Sequence, residues 1–365
     1  MKLKQRVLIC LCAFWLSIIN SSAFELASET IDSCRVYAEH IKSKSHIPGM
    51  QVCIVHNGSI LWNKCFGYSD LSNKKRILPY TKLRIASLSK VLTSASIIKL
   101  CGMKKINLDS SVNAYISNFP RKKYPILIKN LLDHSSGIRH YIGNEFNNPK
   151  KYSSIFEALN YFKNDTLLFE PGTKSVYSSY GYNLLGAIIE KVSKESYADF
   201  VYKTFLLPFG LKQTTPDKFK GNILNRSVFY YLDKDSVIRE CQDVDLAYKL
   251  PTGGYLSTAG DMAMFCSNLI TDKSLNPAEL NLYLEPTYYK DKKPTSWSLG
   301  WRISKLSKKH SVYWHLGSTF GASSAIAFEP KEKIVVCWIT NMNINWSEEP
   351  IVRMMKYLLK IKDKE

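Results

Sequence analysis

The feature that most narrows the fold is a segregation of patterns along the chain. Runs with strand character occur near the start, MQVCIVHN (50–57) and ILWNKCFGY (60–68). They return near the end as WSLGWRI (297–303), SVYWHLG (311–317), SAIAFEP (324–330) and KIVVCWIT (333–340). These runs are rich in β-branched and aromatic residues. The first two meet at Asn57-Gly58, a dipeptide that favours a two-residue hairpin turn. Between the two groups, from about 103 to 295, the apolar spacing is mostly helical, broken by Pro120, Pro125, Pro171-Gly172, Pro208 and Gly253-Gly254. Helices are also expected over 28–44 and 347–361. Early strands that join late ones imply an α/β (α+β) fold: an antiparallel sheet flanked by terminal helices, with an inserted helical lobe. The expected organisation is one domain over 24–365, with an α/β lobe (24–102 and 296–365) and a helical lobe (103–295). Pockets favour the junction of two such lobes.

The first 23 residues read as a separate unit. Lys2, Lys4 and Arg6 precede an apolar stretch from Val7 to Ile19, and Ser21-Ser22-Ala23 offers a cleavage site. That is the layout of a secretory signal peptide, so the expected location is secreted or extracytoplasmic. With no acidic residue before Glu25, a mitochondrial presequence stays open, as does an uncleaved membrane anchor.

Composition excludes several classes. The formal net charge is +19, but the cations come as scattered pairs such as Lys74-Lys75 and Lys292-Lys293. There is no basic stripe with interleaved aromatics, so nucleic acid is not an expected partner. A solvated basic surface, with peripheral attraction to anionic membranes or surfaces as the alternative, fits better. Seven cysteines follow residue 23, widely spaced and without Cys-x-x-Cys; several, such as Cys337, read as buried small hydrophobes, and one or two isolated bridges stay open. The seven histidines form no His-Glu-x-x-His, so no metal site and no cofactor is expected.

One segment carries chemistry. In LRIASLSKVLTSASIIKL (83–100), Ser87 and Lys90 sit at the start of an otherwise apolar helical run. A spacing of three places them on one helical face. A helix start offers free N–H groups and the positive dipole end, which suit an oxyanion. A lysine there is useless as a base unless burial lowers its pKa, when it can accept the serine proton. The alternative is an N-cap serine beside a lysine that snorkels to solvent. Two other Ser-x-x-Lys matches, at Ser72 and Ser96, lie in a charged turn and in mid-helix.

Two further segments join it. FEPGTKSVYSSYGYNLLGAIIE (169–190) places Tyr177 and Ser179 in a tight loop ahead of an apolar helix. SVYWHLGSTFGASSAIAFEP (311–330) carries His315, Gly317 and Ser318 from a strand into a bend. In this order the three segments resemble the motif set of serine β-lactamase-like proteins and penicillin-binding proteins, of the class C β-lactamase type. LLDHSSGIRHY (131–141) and GGYLSTAGDM (253–262) add to the likeness. FKNDTLLFEPG (162–172) and YSSYGY (177–182) resemble the mitochondrial serine β-lactamase-like branch of animals.

The resemblance implies a serine hydrolase that works through an acyl-enzyme, most plainly a peptidase, on a peptide or a small ester or amide. It implies Ser87 as nucleophile, Lys90 as proton acceptor and Tyr177 as a proton shuttle of lowered pKa. His315 would be the cationic first position of the third motif, and Gly317 would let substrate backbone lie along the strand. The N–H groups of Ser87 and Ser318 would form the oxyanion hole. Ser179 stands where β-lactamases carry asparagine and His315 where they carry lysine, which turns the expectation away from antibiotic hydrolysis. A scaffold of the same fold, assembled into homo-oligomers or filaments, is the competing expectation. Thr258 with Asp261 reads as a capping box, and His134 as a satisfied buried turn.

Overall fold

The computed structural model describes residues 29–147, 154–218, 222–271, 274–344 and 347–361. The expected leader, 1–23, lies outside them. Helix α1 (29–44) precedes strands β1 (Gly49–His56), β2 (Ser59–Asp70) and β3 (Lys75–Arg76). The short strand β4 (Leu83–Arg84) passes through a 3-10 turn, Ala86–Leu88, into α2 (Ser89–Gly102). Then come α3 (Ile128–Leu132), α4 (Ile155–Ala158), α5 (Ser179–Ser193) and α6 (Tyr197–Val201). Short strands β5 (Thr215–Pro216), β6 (Tyr230–Leu232), β7 (Ile238–Glu240) and β8 (Tyr255–Ser257) lead to α7 (Ala259–Ile270) and α8 (Pro277–Leu284). The chain closes with β9 (Arg302–Lys305), β10 (Ser311–Thr319), β11 (Ala322–Glu329), β12 (Ile334–Thr340) and α9 (Glu349–Leu358).

The main sheet has the order β3-β2-β1-β12-β11-β10-β9, with every pair antiparallel. Early and late strands meet at β1 and β12, where Met50 faces Thr340 and Cys53 faces Cys337. The β1–β2 turn has positive φ at both Asn57 and Gly58, the geometry of a type I′ hairpin. Alternate residues of the central strands serve two cores. Met50, Val52, Ile54, Val336 and Trp338 pack with Cys34, Ala38 and Met354 of α1 and α9. Cys53, Val55, Val335, Cys337 and Ile339 join the larger core shared with α7. Burial on both faces is why KIVVCWIT shows no polar alternation.

Three details depart from the sequence reading. From the middle stretch, α7 packs on β1 and β12, so it covers the sheet. The expected strand over 297–303 begins only at Arg302, because a tight turn at Ser298–Gly300, with φ 109 at Gly300, intervenes. Thr258 caps α7 by accepting from the Asp261 N–H, but the Asp261 carboxylate bonds Gln213 and Thr214 instead of closing the box.

Helix α2 determines where the site lies. From Ser89 to Ile98 every residue is buried, and α5, α6 and α8 surround it. A helix enclosed on all sides has no polar face. Any charged group in its first turn must therefore be buried as well.

Candidate active site

The site forms where the 3-10 turn of Ala86–Leu88 abuts β10 and β11 and meets Tyr177, just ahead of α5. Ala86 has φ 48, a left-handed conformation that a non-glycine residue adopts only under constraint. This places Ser87 half-exposed between buried neighbours, at the mouth of a cavity of about 720 Å³. Ser87, His140, Tyr177, Ser179, Trp297 and Arg302 line it, together with residues 314–318, Phe146, Asn343 and Glu348.

Lys90 is fully buried. Its Nζ lies 3.2 Å from Ser87 Oγ and donates to the Thr252 carbonyl at 2.8 Å. The faces of Tyr177 and Tyr182 are 5.0 and 5.7 Å away, and no carboxylate among the described residues pairs with it. Burial drives its pKa well below the ordinary value, and the nearby Lys249 charge adds to the effect. Burial thus favours the neutral amine, whose lone pair can accept the Ser87 proton.

Tyr177 hydrogen-bonds Ser87 and Ser179. Its ring packs 4.4 Å from that of His134, which accepts the Ser178 N–H on Nδ1. Desolvation raises the Tyr177 pKa, and the hydrogen bond from Ser87 only partly opposes this. The expected lowered pKa is therefore corrected: the phenol stays protonated at neutral pH. Ser179 opens α5, and its N–H donates to His140 Nδ1 at 3.2 Å.

His315 is 3% exposed, and its Nδ1 lies 2.7 Å from the Leu316 carbonyl. Carbonyl oxygens only accept, so Nδ1 carries the proton and Nε2 is left with no partner among the described residues. Desolvation, with repulsion from Lys90, pushes its pKa down to about 3. The expected cation at this position is thus a neutral imidazole.

Gly317 shows why β10 can lie here. An added Cβ would sit 2.2 Å from Ser324 Oγ, 2.7 Å from the Ile85 carbonyl and 3.1 Å from the Ser87 nitrogen. The missing side chain therefore lets the strand approach the turn bearing Ser87; the closeness is to the chain's own backbone. Thr319 and Ala322 flank the two-residue β10–β11 turn. In such a hairpin the flanking pair exchanges ladder bonds, and every second residue does likewise. Ser318 falls between bonded pairs, so its N–H points off the edge that β9 leaves uncovered beyond Trp314. The Ser87 N–H, at the first residue but one of its 3-10 turn, lies outside the helical bonding.

Match to known families follows the geometry. The beta-lactamase family pattern covers residues 35–351. The chain belongs to the beta-lactamase family. Within it, the chain is 27% identical over 404 residues to the bovine (Bos taurus) mitochondrial serine beta-lactamase-like protein LACTB, covering 84% of this chain and 72% of that protein. It is 28% identical over 316 residues to protein flp of Staphylococcus aureus strain MW2, covering 84% of this chain and 62% of flp. The fold is similar to an octameric penicillin-binding protein homologue from Pyrococcus abyssi (TM-score 0.78, 22% identity, 90% of this chain and 77% of that one). It is also similar to a class C beta-lactamase (TM-score 0.75, 20% identity, 93% and 98%).

The structure brings Ser87, Lys90, Tyr177, Ser179, His315, Gly317 and Ser318 to one cleft. Sequence reasoning missed Arg302, Trp297, Lys249 and Thr252. Lys249 is buried, its amine over the faces of Tyr141 and Phe146 at 4.7 Å each, with burial lowering its pKa to about 7. A lysine in a turn looks solvated in sequence, and no spacing rule marks it otherwise. His140 lay within the stretch at 131–141 but carried no distinguishing signal.

Proposed function

We propose that this protein is a serine hydrolase that cleaves an amide or ester, with a peptide as substrate, through an acyl-enzyme. The observation that carries the reading is the buried, carboxylate-free Lys90 amine 3.2 Å from the Ser87 hydroxyl. In acylation, Ser87 Oγ bonds to the carbonyl carbon while its proton passes to Lys90 Nζ. The carbonyl oxygen takes the negative charge between the Ser87 and Ser318 N–H groups, each such donor being worth about 3–4 kcal/mol in comparable sites. Tyr177, held protonated, gives its proton to the leaving group and recovers one from Lys90. Water then attacks the acyl carbon, its proton moves through the same pair, and Ser87 leaves reprotonated. Relay of this kind contributes roughly 100- to 10,000-fold. No step calls for a cofactor.

A fluorophosphonate probe tests the proposal. Labelling should appear in the wild type, vanish in Ser87→Ala and survive in Ser96→Ala, whose hydroxyl is buried on the Leu92 carbonyl. Absence of labelling in well-folded protein overturns it.

The octameric homologue of the same fold favours a second reading, in which a homo-oligomer is the working form. Sedimentation velocity of the purified chain decides between monomer and assembly. The segment before residue 24 supports export, whereas the mitochondrial relatives support import into that organelle. Among the described residues no helix is long and apolar enough to cross a membrane. Sequencing the mature N-terminus locates the processing site.

A further inference from the structure

Lys90 has a companion. Lys249 ends the short turn Ala247–Lys249, ahead of β8, and is 5% exposed. Its amine donates to the Phe146 carbonyl and lies over three rings, Tyr141 and Phe146 at 4.7 Å each and Tyr248 at 5.2 Å. No carboxylate among the described residues pairs with it. Glu145, beside Phe146 in the chain, is instead ion-paired to Arg139 at 2.6 Å. Aromatic faces attract a cation while burial opposes one, and the amine is charged below about pH 7.

Lys249 reaches Lys90 by two routes that meet at Thr252. Its carbonyl accepts the Thr252 N–H at 2.8 Å, the Gly253 N–H at 2.7 Å and the Thr252 hydroxyl at 3.2 Å. The Tyr141 ring against its amine carries a hydroxyl 3.4 Å from Thr252 Oγ1. The Thr252 carbonyl in turn accepts from Lys90 Nζ at 2.8 Å. Two amines are thus anchored through one threonine, and both are buried, so solvent screens their repulsion little. The other titratable groups around them leave that repulsion in place. Burial holds Tyr141, Tyr177 and Tyr182 protonated. It pushes the His140 pKa down to about 4 and that of His315 to about 3, and it holds His134 well below the ordinary value. His315, neutral where the resemblance implies a cation, cannot supply the charge. Between about pH 4 and 7, Lys249 does.

We infer that Lys249 is a positioning residue of the hydrolytic site: its charge, anchored through Thr252 and Tyr141, repels a proton from Lys90 and keeps that amine open to the Ser87 proton in mildly acid solution. The inference rests on the hydrolase reading for what Lys90 does, but the repulsion itself needs no turnover. Above about pH 7 Lys249 is itself neutral, and Lys90 relies on burial alone.

Two measurements test it. In the first, fluorophosphonate labelling of Ser87 is timed from pH 5 to 9 in the wild type, Lys249→Met, Lys249→Gln and Lys249→Arg. Glutamine can still donate to the Phe146 carbonyl, so Lys249→Gln removes the charge and keeps the bond. In both uncharged variants the acid limb should move up by about one pH unit. Labelling at the foot of the limb should then be about tenfold slower, and rates at pH 9 should match the wild type. Lys249→Arg should hold the limb at or below its wild-type position. A merely structural role would slow labelling by the same factor at every pH. In the second, urea unfolding over the same range compares the wild type with Lys90→Met, and Lys249→Gln with the Lys90→Met, Lys249→Gln double variant. The pH at which each difference begins to slope marks the Lys90 titration without any chemistry. That onset should move up by about one pH unit in the Lys249→Gln background. Labelling slowed equally at every pH, or an onset that stays put, overturns the inference. A moved onset in protein that never labels keeps the repulsion and sinks the hydrolase; an unmoved onset in protein that labels does the reverse.

Discussion

Lys90→Met tests the electrostatic premise of the site. Methionine keeps the apolar stem and removes the amine. In the unfolded chain that amine has the ordinary pKa of 10.5, and in the folded protein burial drives it well below this. The folded state thus binds fewer protons, so wild-type stability rises with pH between the folded value and 10.5 and is flat below the folded value. Over that interval each pH unit is worth about 1.36 kcal/mol for one proton. The methionine variant escapes this cost. It leaves the buried Thr252 carbonyl, which accepts from Lys90 at 2.8 Å, without a donor. That loss costs about 1–3 kcal/mol. The variant's stability relative to the wild type is therefore the proton cost it escapes less this loss, and it should fall as the pH rises toward 10.5. Above the folded pKa it should lose about 1.4 kcal/mol per pH unit relative to the wild type. Urea unfolding of both proteins, followed by tryptophan fluorescence at pH 7, 8 and 9, measures the difference and its slope. A difference between the two proteins that does not change with pH refutes the claim that burial lowers the Lys90 pKa.

Tyr177→Phe should leave urea stability within about 1 kcal/mol and slow fluorophosphonate labelling of Ser87 by roughly 100-fold or more, because only the proton relay is lost; an unchanged rate removes Tyr177 from the chemistry. Gly317→Ala should cost about 1–3 kcal/mol by overpacking and depress labelling as β10 is forced off the turn bearing Ser87. Adding Ser324→Ala should not rescue it, since the Ile85 carbonyl and Ser87 nitrogen still obstruct the Cβ. Asp217→Ala should destabilise by about 3–5 kcal/mol, because the buried Asp217 sits between Arg84 at 2.7 Å and Arg226 at 2.8 Å and its loss leaves both cations sharing the more exposed Asp243. A urea midpoint unchanged in Asp217→Ala contradicts that reading.

Some of this molecule is local and was legible as such. Asn57-Gly58 can make a tight hairpin from its own dihedral preferences, and Ser87 and Lys90 meet because three residues make nearly one helical turn. The strand-rich ends and the helical middle followed from period alone, as did the meeting of early and late strands in one sheet. Boundaries inside the middle stretch were not legible, because a helix such as α7 carries no mark of which layer it will cover. Nor was the charge state of the site. His315 looked like a cation by its place in a motif, but the fold buries it beside Lys90 and leaves it neutral. Tyr177 looked activated, yet the His134 and Trp297 rings that close around it hold its proton on.

The sequence by itself determined which residues lie one turn or one hairpin apart, since those relations depend only on backbone geometry over a few bonds. Tertiary structure alone decided that α2 runs enclosed by other helices, that burial lowers the Lys90 pKa there, and that Arg302 is brought to the cleft wall. Desolvation and ion pairing are set by atoms from segments far apart in the chain, and no short-range pattern encodes them.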